Sequence, residues 1–306
     1  MGWTMDDLQK TPQDGKSVII TGSNSGIGYE VAAAMAAVGA AVTLAVRNKE
    51  RGETAAESIR KAAPGSTVDV LVVDLFNLAS VKAAAATFAA AHPHLHMLIN
   101  NGGICDVPRK LSAEGQEVHM ATNHLGHFAL TGLLLPLLEA APGGGGRIVN
   151  VSSIGHRSCT DMQSDDWAAG EGIPAYCRSK AANVLFTNEL ARRLAAAGSS
   201  VVAVTAHPGG TRSSLIANSR PSFTRSVALV LEPLLLQTTR QGAQPLVYAA
   251  TQANVGPGEY WGPWWVVWGT PAKGTSTALT RDEGNATKLW AKSEEVTGVR
   301  FLPLKV

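Results

Sequence analysis

A chain of 306 residues, 45% hydrophobic and 16% charged, can fill a sizeable core and does not belong to the disordered class. Its formal charge of +2 offers no basic face for nucleic acid or an anionic membrane. Cys105, Cys159 and Cys177 lack metal-ligand spacing and cannot all pair, which fits reduced thiols in a cytoplasmic protein.

The N-terminal MGWTMDDLQK shows neither the basic start nor the apolar segment of a signal peptide. The apolar run 227–236 is broken by Glu232 and Pro233 and is too short to span a bilayer. In chain order, 17–21 (SVIIT), 41–46 (AVTLAV), 68–75 (VDVLVVDL) and 96–100 (HMLIN) read as strands. They are nearly continuous apolar runs, as parallel strands covered on both faces require. Between them, 29–38, 51–63 and 79–91 are rich in Ala, Glu and Lys and long enough for helices. The alternation continues with one long helix over 114–141, a turn at the glycines 143–146, a strand at 147–151, a helix over 175–197 and a strand at 201–206. Repeated strand–helix order predicts an α/β protein with a Rossmann-type doubly wound parallel sheet, helices on both faces, in a single domain over 1–306.

Directly after the first strand, Gly22-Ser23-Asn24-Ser25-Gly26-Ile27-Gly28 leads into a helix. Glycines there allow a tight turn and a close approach to a pyrophosphate, and the helix N-terminus presents N–H groups to it. The second strand ends in Val46-Arg47-Asn48, without the carboxylate that an NAD site usually places on the ribose 2′-hydroxyl. Arg47 can bind a 2′-phosphate instead, so NADP(H) is expected over NAD(H). Asp74, at the end of the third strand, is placed to accept a hydrogen bond from the adenine amino group. Capping the next helix is the structural alternative, and the two uses are compatible.

TGSNSGIG (21–28), DL (74–75), NNGG (100–103), Asn123, VNVSS (149–153), YCRSK (176–180) and HPGG (207–210) follow one another over about 15–215. In this the chain resembles the short-chain dehydrogenase/reductase superfamily. The residues at 123–128 and 176–186, with Leu289-Trp290, Ser293-Glu294 and Thr297-Gly298, are similar to its retinol dehydrogenase-like branch. The resemblance implies interconversion of a carbonyl and an alcohol on a small apolar or aromatic substrate. Relatives with the same tyrosine and lysine also reduce C=C bonds, and others bind NADP(H) without turnover.

The chemistry can also be argued from the residues. A tyrosine with its usual pKa of about 10 exchanges protons poorly at neutral pH. Lys180, one helical turn after Tyr176, brings an ammonium that, with the charge of oxidised nicotinamide, would stabilise the phenolate. Ser153 would polarise the carbonyl oxygen, and Asn123 would hold a water linking Lys180 to solvent. The resemblance further implies that Lys180 holds the nicotinamide ribose. It adds Leu75, Asn101, Gly102, Gly103, Pro208, Gly209 and Ser213 to the cofactor contacts. Gly102 stands where the family has alanine, a smaller residue expected to loosen the turn. His119, His124 and His127 recur at about one helical turn without an acidic partner at metal spacing, so no metal is expected.

The resemblance assigns a substrate lid to 215–240, where Leu215 is a candidate substrate contact. Residues 255–306 would carry the last strand, a Trp-rich segment and a helix. Trp264, Trp265 and Trp268 belong either to the substrate pocket or to the core or an interface, and a homodimer is one way to bury them.

Overall fold

The structure, a computed structural model, describes residues 2–162, 166–211 and 236–301. Eight strands form one sheet: β1 (Ser17–Thr21), β2 (Ala41–Val46), β3 (Val68–Val72), β4 (Met97–Asn100), β5 (Arg147–Val151), β6 (Val202–Ala206), β7 (Tyr260–Pro263) and β8 (Pro271–Gly274). Their order is β3-β2-β1-β4-β5-β6-β7-β8. All neighbours are parallel except β7 and β8. Strand order reverses between β1 and β4, and the carboxyl ends of the strands there open the crevice in which such sheets bind ligands.

Alternation along each strand feeds two cores. Val18 and Ile20 of β1 face one cluster with α1 (Gly26–Ala37), α2 (Lys49–Ala62) and the later helix Thr239–Thr251. Ile19 faces the other, with α3 (Leu78–Ala91), α4 (Gly126–Glu139) and α5 (Gly172–Ala196). Numbered in chain order, Thr239–Thr251 is α6, Ala278–Arg281 is α7 and Glu283–Thr297 is α8. On the second face Trp290 of α8, Phe128, Phe186 and Phe301 form an aromatic cluster, with Trp290 and Phe301 centroids 4.5 Å apart. Both faces are thus covered, as the apolar strand sequences require.

Three expectations need correction. The third strand ends at Val72, because residues beyond it turn to set Asn77 as the cap of α3. The single helix over 114–141 is not formed. Gly115 (φ +75) closes a turn, Leu111 and Glu117 form an antiparallel bridge, and a π-helical stretch, Met120–Leu125, precedes α4. The Glu117 side chain caps this start, accepting the His119 N–H at 2.8 Å. The last residues of the expected lid belong to the body of the fold. Gln237 bridges Thr211, Thr238 and Gln241 make a capping box, and α6 packs on α1 through the Thr239 hydroxyl, which donates to Glu30 at 3.2 Å. Two elements were not anticipated: α6, which contains Gly242 and Pro245, and β8, which reads Pro-Ala-Lys-Gly. Residues 212–235, with Ser213, Leu215 and most of the expected lid, lie outside the described residues. Among the described residues no helix is long and apolar enough to cross a membrane.

Candidate active site

The turn after β1 closes backbone against backbone. Gly22 has φ +64, and a Cβ there would lie 2.8 Å from Gly102 Cα. A Cβ on Gly28 would meet the Gly22 carbonyl at 2.6 Å. Ser23 is buried and its hydroxyl donates to Ile20 O at 2.7 Å, which ties the turn to β1. Asn24 and Ile27 are half-buried, and Ser25 precedes α1 without capping it by its side chain. The first-turn N–H groups of α1 therefore have no side-chain acceptor, which suits phosphate oxygens.

Neighbouring strands hold the turn. The Asn101 amide donates to Thr21 O at 2.8 Å, and the Gly102 N–H donates to Thr21 Oγ1 at 2.8 Å. The expected loosening at Gly102 is not seen. A Cβ there would lie 2.9 Å from Leu75 Cδ1 and 3.2 Å from Thr21 Oγ1, so neighbours already fill the space. Arg47 is exposed just beyond β2, followed by Asn48, whose side chain accepts the Arg51 N–H at the start of α2. Asp74 accepts the Phe76 N–H at 3.1 Å, while the capping of α3 falls to Asn77. A side-chain-free cradle, an uncapped helix start and an exposed arginine fit a phosphorylated dinucleotide.

The residues expected to do chemistry converge at the carboxyl ends of β4 and β5. Tyr176 and Lys180 share one face of α5 and are both buried, with Lys180 Nζ 6.0 Å from the Tyr176 ring centroid. The Lys180 ammonium donates to Val151 O at 3.0 Å. Burial pushes its pKa down to about 8. Burial also pushes the Tyr176 phenol above its ordinary value, opposed by a hydrogen bond with Ser153. Desolvation of the phenolate is the largest influence on this phenol.

The two serines after β5 divide their work. Ser152 Oγ donates to Lys180 O at 2.8 Å, whereas Ser153 faces Tyr176 and accepts the Gly155 N–H at 3.1 Å. Asn123 lies within the π-helical stretch, a feature frequent at functional sites. Its Oδ1 accepts the Ile104 N–H at 2.9 Å, and its Nδ2 donates to Ile104 O at 3.0 Å and to Ser179 Oγ at 2.9 Å. A Cβ on Gly103 would lie 3.2 Å from Asn123 Oδ1 and 3.4 Å from Lys180 Nζ, so these groups meet at one point.

Sequence reasoning missed the supports. Asn100 donates to Asn150 Oδ1 at 2.7 Å and to Thr131 Oγ1 at 2.9 Å, and Asn150 donates to Thr187 Oγ1 at 3.0 Å. This buried chain ties β4 and β5 to α4 and α5. An asparagine at a central strand position, unpaired by any local turn, was the available signal. The three histidines find separate partners. His119 pairs with the buried Glu117 at 2.7 Å, an acidic partner only two residues away, and His124 lies 2.8 Å from Ser293 Oγ. His127 Nδ1 donates to Asn123 O at 2.9 Å, which leaves Nε2 to accept from Thr21 Oγ1 at 2.8 Å. Burial holds His127 neutral, its pKa pushed down to about 4. One ring therefore joins the glycine turn to the backbone of Asn123.

Past β6, Pro208 O accepts the Thr211 hydroxyl at 2.9 Å and Gly209 takes φ +72. The Gly210 N–H donates to Val267 O at 2.7 Å, which sets the Trp-rich turn between β7 and β8 against this segment. Trp264, Trp265 and Trp268 are 68%, 63% and 56% exposed, so the described residues do not bury them. Trp265 stacks on Trp268 with centroids 5.9 Å apart, while Trp264 lines a cavity of about 360 Å³ with Arg157, His207 and Tyr260.

A doubly wound sheet with a phosphate-accepting first turn, and Ser153, Tyr176, Lys180 and Asn123 gathered at its carboxyl edge, fits a class of nicotinamide-dependent oxidoreductases. A family model described as short chain dehydrogenase matches residues 16–222. The chain belongs to the short-chain dehydrogenase/reductase family, in its retinol dehydrogenase-like branch. It is 41% identical to retinol dehydrogenase 12 of Bos taurus over 294 residues, covering 94% of this chain and 88% of that protein. An uncharacterised protein of known structure from Mycobacterium paratuberculosis is similar with a TM-score of 0.79 and 36% identity, over 98% of this chain and 99% of that one. An NADP-bound structure described as an NAD(P)-dependent gluconate 5-dehydrogenase, from Beutenbergia cavernae, matches with a TM-score of 0.64 and 25% identity, over 82% of this chain and 96% of that one. The chain is thus an oxidoreductase of a family that uses a nicotinamide cofactor and small substrates.

Proposed function

We propose that this protein is a single-domain, NADP(H)-dependent carbonyl reductase, reversibly an alcohol dehydrogenase, acting on a small apolar or aromatic substrate. The observation that carries the reading is the convergence of Tyr176, Lys180, Ser153 and Asn123 beside the glycine turn. Gly22 to Gly28 would hold the pyrophosphate, Arg47 the 2′-phosphate and Asp74 the adenine amino group. Asn101 and Gly102 keep the turn in shape. Bound nicotinamide supplies or accepts the hydride.

The remaining work belongs to side chains of this chain. Ser153 donates to the substrate oxygen and orients the Tyr176 hydroxyl. Tyr176, protonated at neutral pH as any phenol of ordinary or raised pKa is, delivers the proton to that oxygen during reduction. Lys180 stabilises the resulting phenolate and, with Asn123, connects it to the protein's exterior. The Trp264 side chain would contact the apolar part of the substrate.

Initial rates over a panel of ketones, aldehydes and enones, followed by NADPH absorbance, test the reading. Carbonyl reduction faster with NADPH than with NADH is expected, and Tyr176→Phe is expected to abolish turnover while NADPH binding persists. Retained turnover in Tyr176→Phe, or reduction of enones at C=C alone, would overturn the mechanism or the reaction respectively. The 2 relevant coenzymes should differ by at least tenfold if Arg47 forms a charge-assisted pair of roughly 1.5–3 kcal/mol.

A further inference from the structure

The cavity beside β7 and β8 has a chemical character that the transfer of hydride and proton does not require. Tyr260 and His207 line it, stacked with centroids 5.2 Å apart and planes at 28°. Pro263, Trp264 and Val266 supply an apolar wall, and Arg157 stands at the same cavity. One Arg157 Nη2–H donates to Thr275 O at 2.8 Å, which anchors one edge of the guanidinium to the segment after β8. The other donors of the planar fork are left for a second acceptor. Lys273, also at this cavity, is already paired with Glu259 at 2.6 Å. No ion pair joins Arg157 to a carboxylate among the described residues. Arg157 is exposed, so the cavity carries a solvated positive charge that no carboxylate among the described residues pairs.

The neighbouring groups register that charge. Arg157 adds to the downward push on His156 and on His207, the latter held neutral with a pKa near 3 chiefly by burial. It also works against the upward push that burial gives the Tyr260 phenol. The wall of the cavity is linked to the candidate catalytic loop by hydrogen bonds through the buried His156. His156 Nδ1 donates to Ser153 O at 2.6 Å, and the Tyr260 hydroxyl lies 3.3 Å from the same nitrogen.

We propose that this cavity is a subsite for a carboxylate carried by the substrate, with Arg157 as its ionic partner and Trp264 and Val266 flanking the apolar portion. The substrate class narrows from apolar carbonyl compounds to apolar or aromatic oxo acids. The proposal rests on the carbonyl–alcohol reading above, and its test separates the two.

Two measurements on the full chain are paired. Reduction of 4-acetylbenzoate and of its methyl ester is followed with NADPH, and unreactive benzoate is titrated calorimetrically, each with the wild type, Arg157→Gln and Arg157→Lys. The wild type is expected to favour the acid over the ester in kcat/KM. That preference should fall about tenfold in Arg157→Gln, in line with loss of one charge-assisted pair, and benzoate binding should weaken alongside it. Arg157→Lys should recover part of both, since it keeps the charge but not the fork. Equal use of acid and ester together with benzoate binding indifferent to Arg157→Gln would overturn the subsite. Reduction of neither compound, with Arg157-dependent benzoate binding intact, would count against the carbonyl reading and leave the subsite standing.

Discussion

Lys180 shows how burial governs the residues that would handle protons. Its ammonium is anchored on Val151 O, yet burial brings its pKa down to about 8. If the phenolate of Tyr176 needs that positive charge, the charge is present below about pH 8 and is lost as pH rises through it. The kcat/KM for carbonyl reduction should therefore fall on the alkaline side of about 8, in a pH profile fitted to a single ionisation. Lys180→Met should remove that limb and lower turnover by roughly 10²–10⁴-fold. A wild-type profile that stays level to pH 10 would contradict the assignment, because that value is close to the usual lysine range of about 10.4. The sequence pointed to Tyr176 and Lys180 by spacing on one helix face. It could not say how strongly desolvation would act on the phenol and the ammonium, since that depends on depth in the folded chain.

Between residue and fold, the elements that carry the site are themselves fastened by buried polar bonds. Asn100 and Asn150 sit side by side on β4 and β5, and through Thr131 and Thr187 they fix the sheet to α4 and α5, the helix of Tyr176. Asn150→Ala would strip the Thr187 hydroxyl of its donor and Asn100 of one acceptor. A loss of about 2 kcal/mol is expected, read as a lower midpoint in urea unfolding. A change below about 0.5 kcal/mol would mean the chain of bonds is not needed for stability. The π-helical stretch Met120–Leu125 belongs to the same scale. Periodicity read this region as part of an uninterrupted helix because its apolar residues repeat acceptably for either winding. Within that stretch Asn123 pairs with Ile104, from a segment nineteen residues away.

At the scale of the whole molecule, three histidines are enclosed in neutral form, with pKa values pushed down by burial to about 3 for His124, about 4 for His127 and about 3 for His207. The unfolded chain binds protons at these rings near pH 6.5, whereas the folded chain resists doing so. Stability from this source is complete above that pH and is lost as pH falls toward about 4, at roughly 1.4 kcal/mol per unit for each ring. Thermal unfolding followed by circular dichroism should give a clearly lower Tm at pH 5 than at pH 7, and His124→Gln should shrink the difference. A Tm that does not change between the two would show that the rings are not held neutral.

The sequence by itself determined the class of fold and the position of the glycine turn. Strands covered on both faces must be apolar along their length, and a backbone that bends against a phosphate must dispense with Cβ atoms. It also determined which residue types stood ready for proton transfer, because Tyr176 and Lys180 are local to one helix. Tertiary structure alone decided that Ser153 rather than Ser152 faces Tyr176, and that His127 joins β1 to Asn123. It alone decided that Arg157 shares a cavity with Trp264, more than one hundred residues later in the chain. Those relations are made between segments far apart in sequence, and a hydrogen bond or a shared cavity across such a span leaves no periodic trace along the chain.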